Sequence, residues 1–186
     1  MKKVLLIVFN NFTNDSRVLK EAISLQSNGF DVLVLAFNYG RSDLKEYDVV
    51  ENIPVYRLKL LTKNLPENIF FQVFKSFELI LKLFWNYKKV KADIYHCNDI
   101  ETLPFGYFFK VLSKNSRIVY DAHEFETERK GLKGLKKQLI FYIEKKWIKS
   151  ADAVITVSES IADCYAGLYK IPIPAVIFNY PNSITN

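Results

Sequence analysis

The sequence predicts a single three-layer α/β domain on a doubly wound, mostly parallel sheet. Three observations carry this. Short apolar runs recur along the chain, continuous rather than alternating, as in strands buried on both faces. Stretches with helical spacing separate most of them. A length of 186 residues suits one well-buried core rather than two catalytic domains.

The first run, 4–9, follows Met1-Lys2-Lys3. It has no small-residue cleavage site after it, and Asn and charged residues come soon, so a buried strand is favoured over a secretion signal. Val18, Leu19, Ala22, Ile23 and Leu25 then form one helical stripe, preceded by the cap formers Asn14, Asp15 and Ser16 and closed by Gly29. With a strand at 31–37 this makes a first βαβ unit of right-handed crossover. Residues 39–62 are less regular, with a short strand at 54–58. A long helix over 68–91 returns the chain to a strand at 93–97. There follow a helix near 101–112, a strand from 117 ending at Asp121, a helix over 131–149 and a strand at 153–157. A last helix, capped by Ser158 or Ser160, runs to about Tyr169, and the final strand is 175–178. Residues 1–178 thus read as one domain. The polar tail 179–186 reads as the start of a linker, with the second domain absent from this sequence.

Composition narrows the function classes. Apolar residues at 49% and aromatics at 15% argue against disorder. The charge of +6 permits an anionic partner, although lysines on solvated helix faces explain it equally well. No nucleic-acid-binding motif accompanies it, so no nucleic acid is expected as partner. Cys97 and Cys164 form no CxxC and point to a reducing compartment without redox or metal chemistry. The greasiest stretch, 69–85, is broken by Gln72, Lys75, Glu78 and Lys82, which excludes a transmembrane span.

In this architecture ligands bind beyond the carboxyl ends of the strands, so the polar residues there are the candidates. The loop Asn10-Asn11-Phe12-Thr13-Asn14-Asp15-Ser16-Arg17 lacks the glycines of a dinucleotide site, and no GxxxxGK[ST] exists, which disfavours nicotinamide enzymes and P-loop ATPases. It remains a polar loop at a helix N-terminus that can offer N–H groups to a ligand. Capping by Asn14 or Asp15 and a surface ion pair for Arg17 are the competing roles. Both histidines are expected at adjacent strand ends, His96 with Asp99 and His123 with Glu124. A metal held by these four is set aside for want of ligand spacing. Ser158, a helix cap, also presents backbone N–H groups toward a substrate.

Together these pieces resemble a known family. Asn14-Asp15-Ser16-Arg17-Val18 with Glu21-Ala22 and Leu25, His96-Cys97-Asn98-Asp99, Tyr120-Asp121-Ala122-His123-Glu124 and Ala151-Asp152-Ala153-Val154-Ile155-Thr156-Val157-Ser158 look like the N-terminal, Rossmann-like domain of a retaining, nucleotide-sugar-dependent glycosyltransferase of family 4, with the GT-B fold. The resemblance implies a domain that binds a saccharide or lipid-linked acceptor in polysaccharide biosynthesis. It implies a nucleotide-diphosphate sugar as donor and no tightly bound cofactor. His123 matches the histidine that contacts the transferred sugar, which makes it the catalytic candidate. Asn14, Asp15, Arg17, His96, Asp99, Glu124 and Ser158 become substrate-side candidates. The donor-binding Lys or Arg and the EX7E-type acidic motif belong to a C-terminal domain and do not occur here, so this chain alone is expected to be inactive. The alternative is a noncatalytic module that engages a separate donor-binding subunit or a membrane surface. The expected location is cytoplasmic, with a peripheral position on the inner face of the membrane as a further expectation.

Two stretches combine rings with lysines. One is Phe70, Phe74, Phe77, Leu81, Phe84 and Trp85 followed by Lys88, Lys89 and Lys91. The other is Lys130, Lys133, Lys136 and Lys137 with Phe141 and Trp147. The favoured expectation is that the aromatic face packs on the sheet; docking on anionic lipid is the competing one.

Overall fold

In a computed structural model the apolar runs form one eight-stranded sheet. Residues 1–38, 41, 43–62, 66, 69–123 and 134–179 are described. Glu124, Lys130 and Lys133 lie outside them, as do the side chains of Phe70, Lys136 and Lys137.

The strands are β1 (Lys3–Ile7), β2 (Asp31–Asn38), β3 (Tyr47–Val50), β4 (Ile53–Lys59), β5 (Ile94–Asn98), β6 (Arg117–Ala122), β7 (Ala153–Thr156) and β8 (Ala175–Val176). Their spatial order is β3-β4-β2-β1-β5-β6-β7-β8, and every pairing is parallel except β3 with β4. The helices are α1 (Ser16–Ser27), α2 (Ile69–Trp85), α3 (Tyr87–Val90), α4 (Leu103–Leu112), α5 (Gly134–Trp147) and α6 (Glu159–Tyr169). The order of strands reverses at β1, because the chain winds outward through β2 on one side and resumes at β5 on the other. That reversal opens a crevice between the β1 and β5 carboxyl ends.

Alternate residues of the strands feed two separate cores. Leu5, Ile7, Leu35, Phe37, Tyr95, Cys97, Ile118 and Tyr120 face α2 to α6, while Val4, Leu6, Val32, Val34 and Val55 face α1. Among the described residues the layers are therefore unequal: α1 covers one face almost alone. On the other face Glu144 of α5 is fully buried and accepts hydrogen bonds from the hydroxyls of Tyr120 (2.7 Å), Tyr165 (2.7 Å) and Tyr169 (2.5 Å). Three phenols satisfy a carboxylate that would otherwise be costly to bury, and they tie α5, α6 and β6 together.

Three expectations are corrected here. The long helix divides at Asn86 into α2 and α3, where the Asn86 amide donates to the Lys82 carbonyl (2.8 Å) and its side-chain oxygen accepts from the Tyr56 hydroxyl (2.7 Å). An antiparallel strand, β3, occupies part of the segment read as irregular. The aromatic face of α2 does not pack on the sheet: Leu79 and Leu83 do so, whereas Phe74, Phe77, Phe84 and Trp85 are exposed.

Candidate functional site

The β1–α1 loop is held without a single glycine. Asn10 makes its turn, accepting from the Phe12 N–H (2.7 Å) and donating to Asp15 Oδ2 (2.8 Å), while its carbonyl accepts from the Phe37 N–H (2.9 Å). Phe12 takes a left-handed backbone (φ 51) and buries its ring, so its apolar burial offsets a conformation that costs most residues energy. From below, the buried Arg57 donates to the Asn11 carbonyl (2.9 Å) and pairs with Asp48 (2.7 Å). The loop thus surrounds a fixed hollow of about 400 Å³, lined by residues 10–17. Asp15 is the N-cap of α1, accepting from the Val18 N–H (3.2 Å), and Asn14 is exposed on the rim.

Arg17, on the first turn of α1, points inward. Its guanidinium makes two hydrogen bonds to the fully buried carboxylate of Asp121, at 2.9 and 2.7 Å, and contacts Glu21 at 3.2 Å. This replaces the surface pairing weighed from the sequence. Asp121 in turn lies 3.3 Å from His123 Nε2, an ion-pair contact rather than an aligned hydrogen bond. Asp99 reaches the other ring nitrogen of His123 at 3.5 Å. It can do so because its left-handed backbone (φ 69) turns the chain sharply off β5, a conformation that Asp adopts more readily than most residues.

His123 is therefore held between two carboxylates just past the end of β6, partly open to solvent. Burial alone would lower its pKa, but Asp121 and Asp99 outweigh that and raise it above the ordinary imidazole value. His123 and Arg17 hold Asp121 well below the usual carboxylate range against its desolvation.

His96 is placed differently from the expectation. It sits in the middle of β5 rather than at its end, nearly buried, 3.8 Å from Glu21 and 4.0 Å from Asp121. Burial pushes it down to about 4, so it is neutral. Burial and the nearby Asp121 push Glu21 up to about 9 despite Arg17, so Glu21 carries a proton at neutral pH. Among the described residues Glu21, His96 and Asp121 have a spacing that could hold a metal ion. Arg17 already supplies the positive charge there, and a divalent ion would have to displace it.

Ser158 caps α6, its hydroxyl accepting from the Ile161 N–H (3.3 Å). The register Ala122↔Thr156 puts it on the same sheet edge as His123. The structure thus joins Arg17, Asp99, His96 and His123 through Asp121. Asn14, Asp15 and Ser158 stand around them at the carboxyl edge, and Glu124 lies outside the described residues. Asp121 and Glu21 were not singled out as site residues. The signal was one acid closing the otherwise apolar strand 118–122, and an acid one turn after Arg17. A pocket of about 550 Å³ beside Ala153 and Ala175 opens where β7 and β8 begin, at the opposite edge.

Solved structures share this fold at low identity. Sucrose-phosphate synthase from Thermosynechococcus elongatus superposes with a TM-score of 0.68 at 12% identity, over 96% of this chain and 47% of that one. The lipopolysaccharide outer core galactosyltransferase WaaB in its apo form gives 0.61 at 14%, over 98% and 47%. MurG from Acinetobacter baumannii gives 0.58 at 16%, over 96% and 45%. The chain spans about half the length of each of these three proteins. Among curated proteins no match is found. The family model described as Glycosyltransferase Family 4 matches residues 16–179, which hold seven of the eight strands together with Arg17, His96, Asp99, Asp121, His123 and Ser158, and the chain belongs to that family.

Proposed function

We propose that this chain is the acceptor-binding half of a retaining glycosyltransferase that uses a nucleotide-diphosphate sugar, acting in polysaccharide biosynthesis at the cytoplasmic face of a membrane. The observation that carries the reading is His123, held between the carboxylates of Asp99 and Asp121 at the same edge as the loop 10–17. The acceptor, a saccharide or a lipid-linked sugar, would lie against that loop, where Asn14, the α1 N–H groups and the Ser158 cap offer polar contacts.

In transfer, the bond between the sugar's anomeric carbon and the diphosphate breaks, and a bond from the acceptor oxygen forms on the same face. The acceptor proton passes to the departing phosphate, so no carboxylate pair of the hydrolase type is needed. Asp99 and Asp121 are both engaged with His123, in keeping with a role in orienting it. An imidazole fixed in place can hydrogen-bond the sugar and, when protonated, stabilise charge as the bond to phosphate lengthens, without reorganising at that moment. The donor and its binding groups would come from a second domain or a separate subunit.

The test is transfer from a panel of nucleotide sugars by the full-length protein. His123→Ala is expected to lower kcat by about 10²- to 10³-fold, the usual loss when a fixed donor facing developing charge is removed, with the fold retained by circular dichroism. Unchanged turnover would remove His123 from the reaction. No transfer with any donor, in the presence of glycan or lipid-linked acceptors, would overturn the reading.

A further inference from the structure

We propose that the outward ridge of α2 is the surface by which this protein docks on an anionic lipid bilayer. Four aromatic side chains, Phe74, Phe77, Phe84 and Trp85, stand on this one helix with at least half of their surface exposed, Trp85 with 73%. At about 100° per residue they fall on the side opposite Leu79 and Leu83, which are buried against the sheet. So many rings on one exposed ridge mark an interaction surface.

Charge selects the occupant. Residues 69–91 contain Lys75, Lys82, Lys88, Lys89 and Lys91 against the single acid Glu78. Glu78 is already neutralised, since it pairs with Lys82 and accepts from the Leu61 and Thr62 N–H groups. An apolar ridge ending in exposed lysines suits acyl chains below anionic headgroups, and a helix of this kind lies in the interface plane. No helix among the described residues is long and apolar enough to cross a membrane, which agrees with a helix that lies on one.

The contacts of α2 also give its position along the sheet. Asn86 meets Tyr56, Lys82 meets the Lys59 carbonyl, and Glu78 meets Leu61 and Thr62. The helix thus runs antiparallel to β4, and residues 69–77 continue past the carboxyl end of that strand, over about 13 Å at the usual helical rise. This is the edge on which Asp99 and His123 stand. Where the proposed transfer reading holds, a lipid-linked acceptor in the docked bilayer would approach from that edge.

The experiment is co-sedimentation of the full-length protein with vesicles of phosphatidylcholine alone or mixed with phosphatidylglycerol, alongside tryptophan emission. Binding to the anionic vesicles, weakened by salt, is expected, with a blue shift that Trp85→Phe removes while Trp147 remains. Phe77→Ser with Phe84→Ser is expected to weaken partitioning by about tenfold or more, as the loss of two buried rings implies. Lys88→Glu with Lys91→Glu is expected to erase the preference for anionic lipid. All four positions are exposed, so thermal melts should match wild type. Absence of wild-type binding, or equal binding by the ridge variants, overturns the proposal. So does a wild-type dimer that these substitutions dissociate without any vesicle binding, since the ridge would then join two proteins. The vesicles contain neither donor nor acceptor, so this outcome is independent of the sugar-transfer assay with a detergent-dispersed acceptor.

Discussion

Glu21 and His96 face each other at 3.8 Å, both uncharged at neutral pH, yet the two respond to pH with opposite slopes. For Glu21, the folded value is raised from 4.5 to about 9 by burial and by Asp121. An unfolded chain gives up this proton near 4.5, so the folded state loses stability as pH climbs from there toward 9. For His96 the folded value is about 4, below the ordinary 6.5, so stability falls as pH drops from about 6.5 toward 4. His123 has a raised value; its ion pairs contribute fully below about 6.5 and are lost as pH rises through the folded value. Above pH 6.5, then, Glu21 and His123 both pull stability down. Glu21→Gln keeps the neutral shape and removes one of those terms. Calorimetric melts from pH 6 to 9 should show a wild-type Tm that declines and a Glu21→Gln Tm that declines less, with the variant the more stable at pH 8.5. Parallel slopes would mean that Glu21 is already ionised in the native state. Positive charge near the site comes from Arg17, bound to Asp121, so removing Asp121 would strand a buried guanidinium as well as release His123.

At the scale of elements, the parallel strands were legible because residues such as Leu5, Leu6, Leu35 and Ala36 alternate between two cores and leave no polar gap. β3 was not, because Tyr47, Asp48, Val49 and Val50 lie at the sheet's edge and are half open to solvent. Its two-residue turn, Glu51-Asn52, has both residues left-handed (φ 49 and 65) but lacks the Asn-Gly or Asp-Gly signature of such hairpins. The site was legible as a set of strand-end polar residues. Its wiring was not, since Arg17 reaches Asp121 across more than a hundred residues of chain and only the fold supplies that adjacency. The close approach of α4 to β5 is also hidden in sequence. Gly106 stands where an added Cβ would overlap the Cys97 sulfur. Gly106→Ala should therefore destabilise the domain by about 1–3 kcal/mol in urea melts, the cost of overpacking exceeding the gain in helix propensity. Pairing it with Cys97→Ala, which empties the contested space, should recover part of the loss. If the double variant is merely additive, the clash is not what holds the position to glycine.

At the scale of the molecule, the asymmetry of the three layers is the governing feature. Among the described residues five helices cover one face of the sheet, whereas α1 covers the other and leaves a shallow groove of about 410 Å³ bounded by Leu25, Phe30, Ile94, Val119 and Ile155. Neighbouring residues of β6 sample the two environments: Ile118 is fully buried among the helices, and Val119 is half-buried toward the groove. Ile118→Ala should cost about 2–5 kcal/mol, because the packed side leaves a cavity that cannot collapse. Val119→Ala removes less surface from water and leaves no closed cavity, so its cost should stay under about 1 kcal/mol. Urea denaturation of the two variants, with equal m-values as the check on two-state behaviour, reads the difference directly. Comparable losses would show that the α1 side is as tightly packed in solution as the helical side. A large gap would place the domain's stability on the face of α2 to α6. The edge that holds Arg17, Asp99 and His123 would then be anchored by a face that substitutions around the groove leave nearly intact.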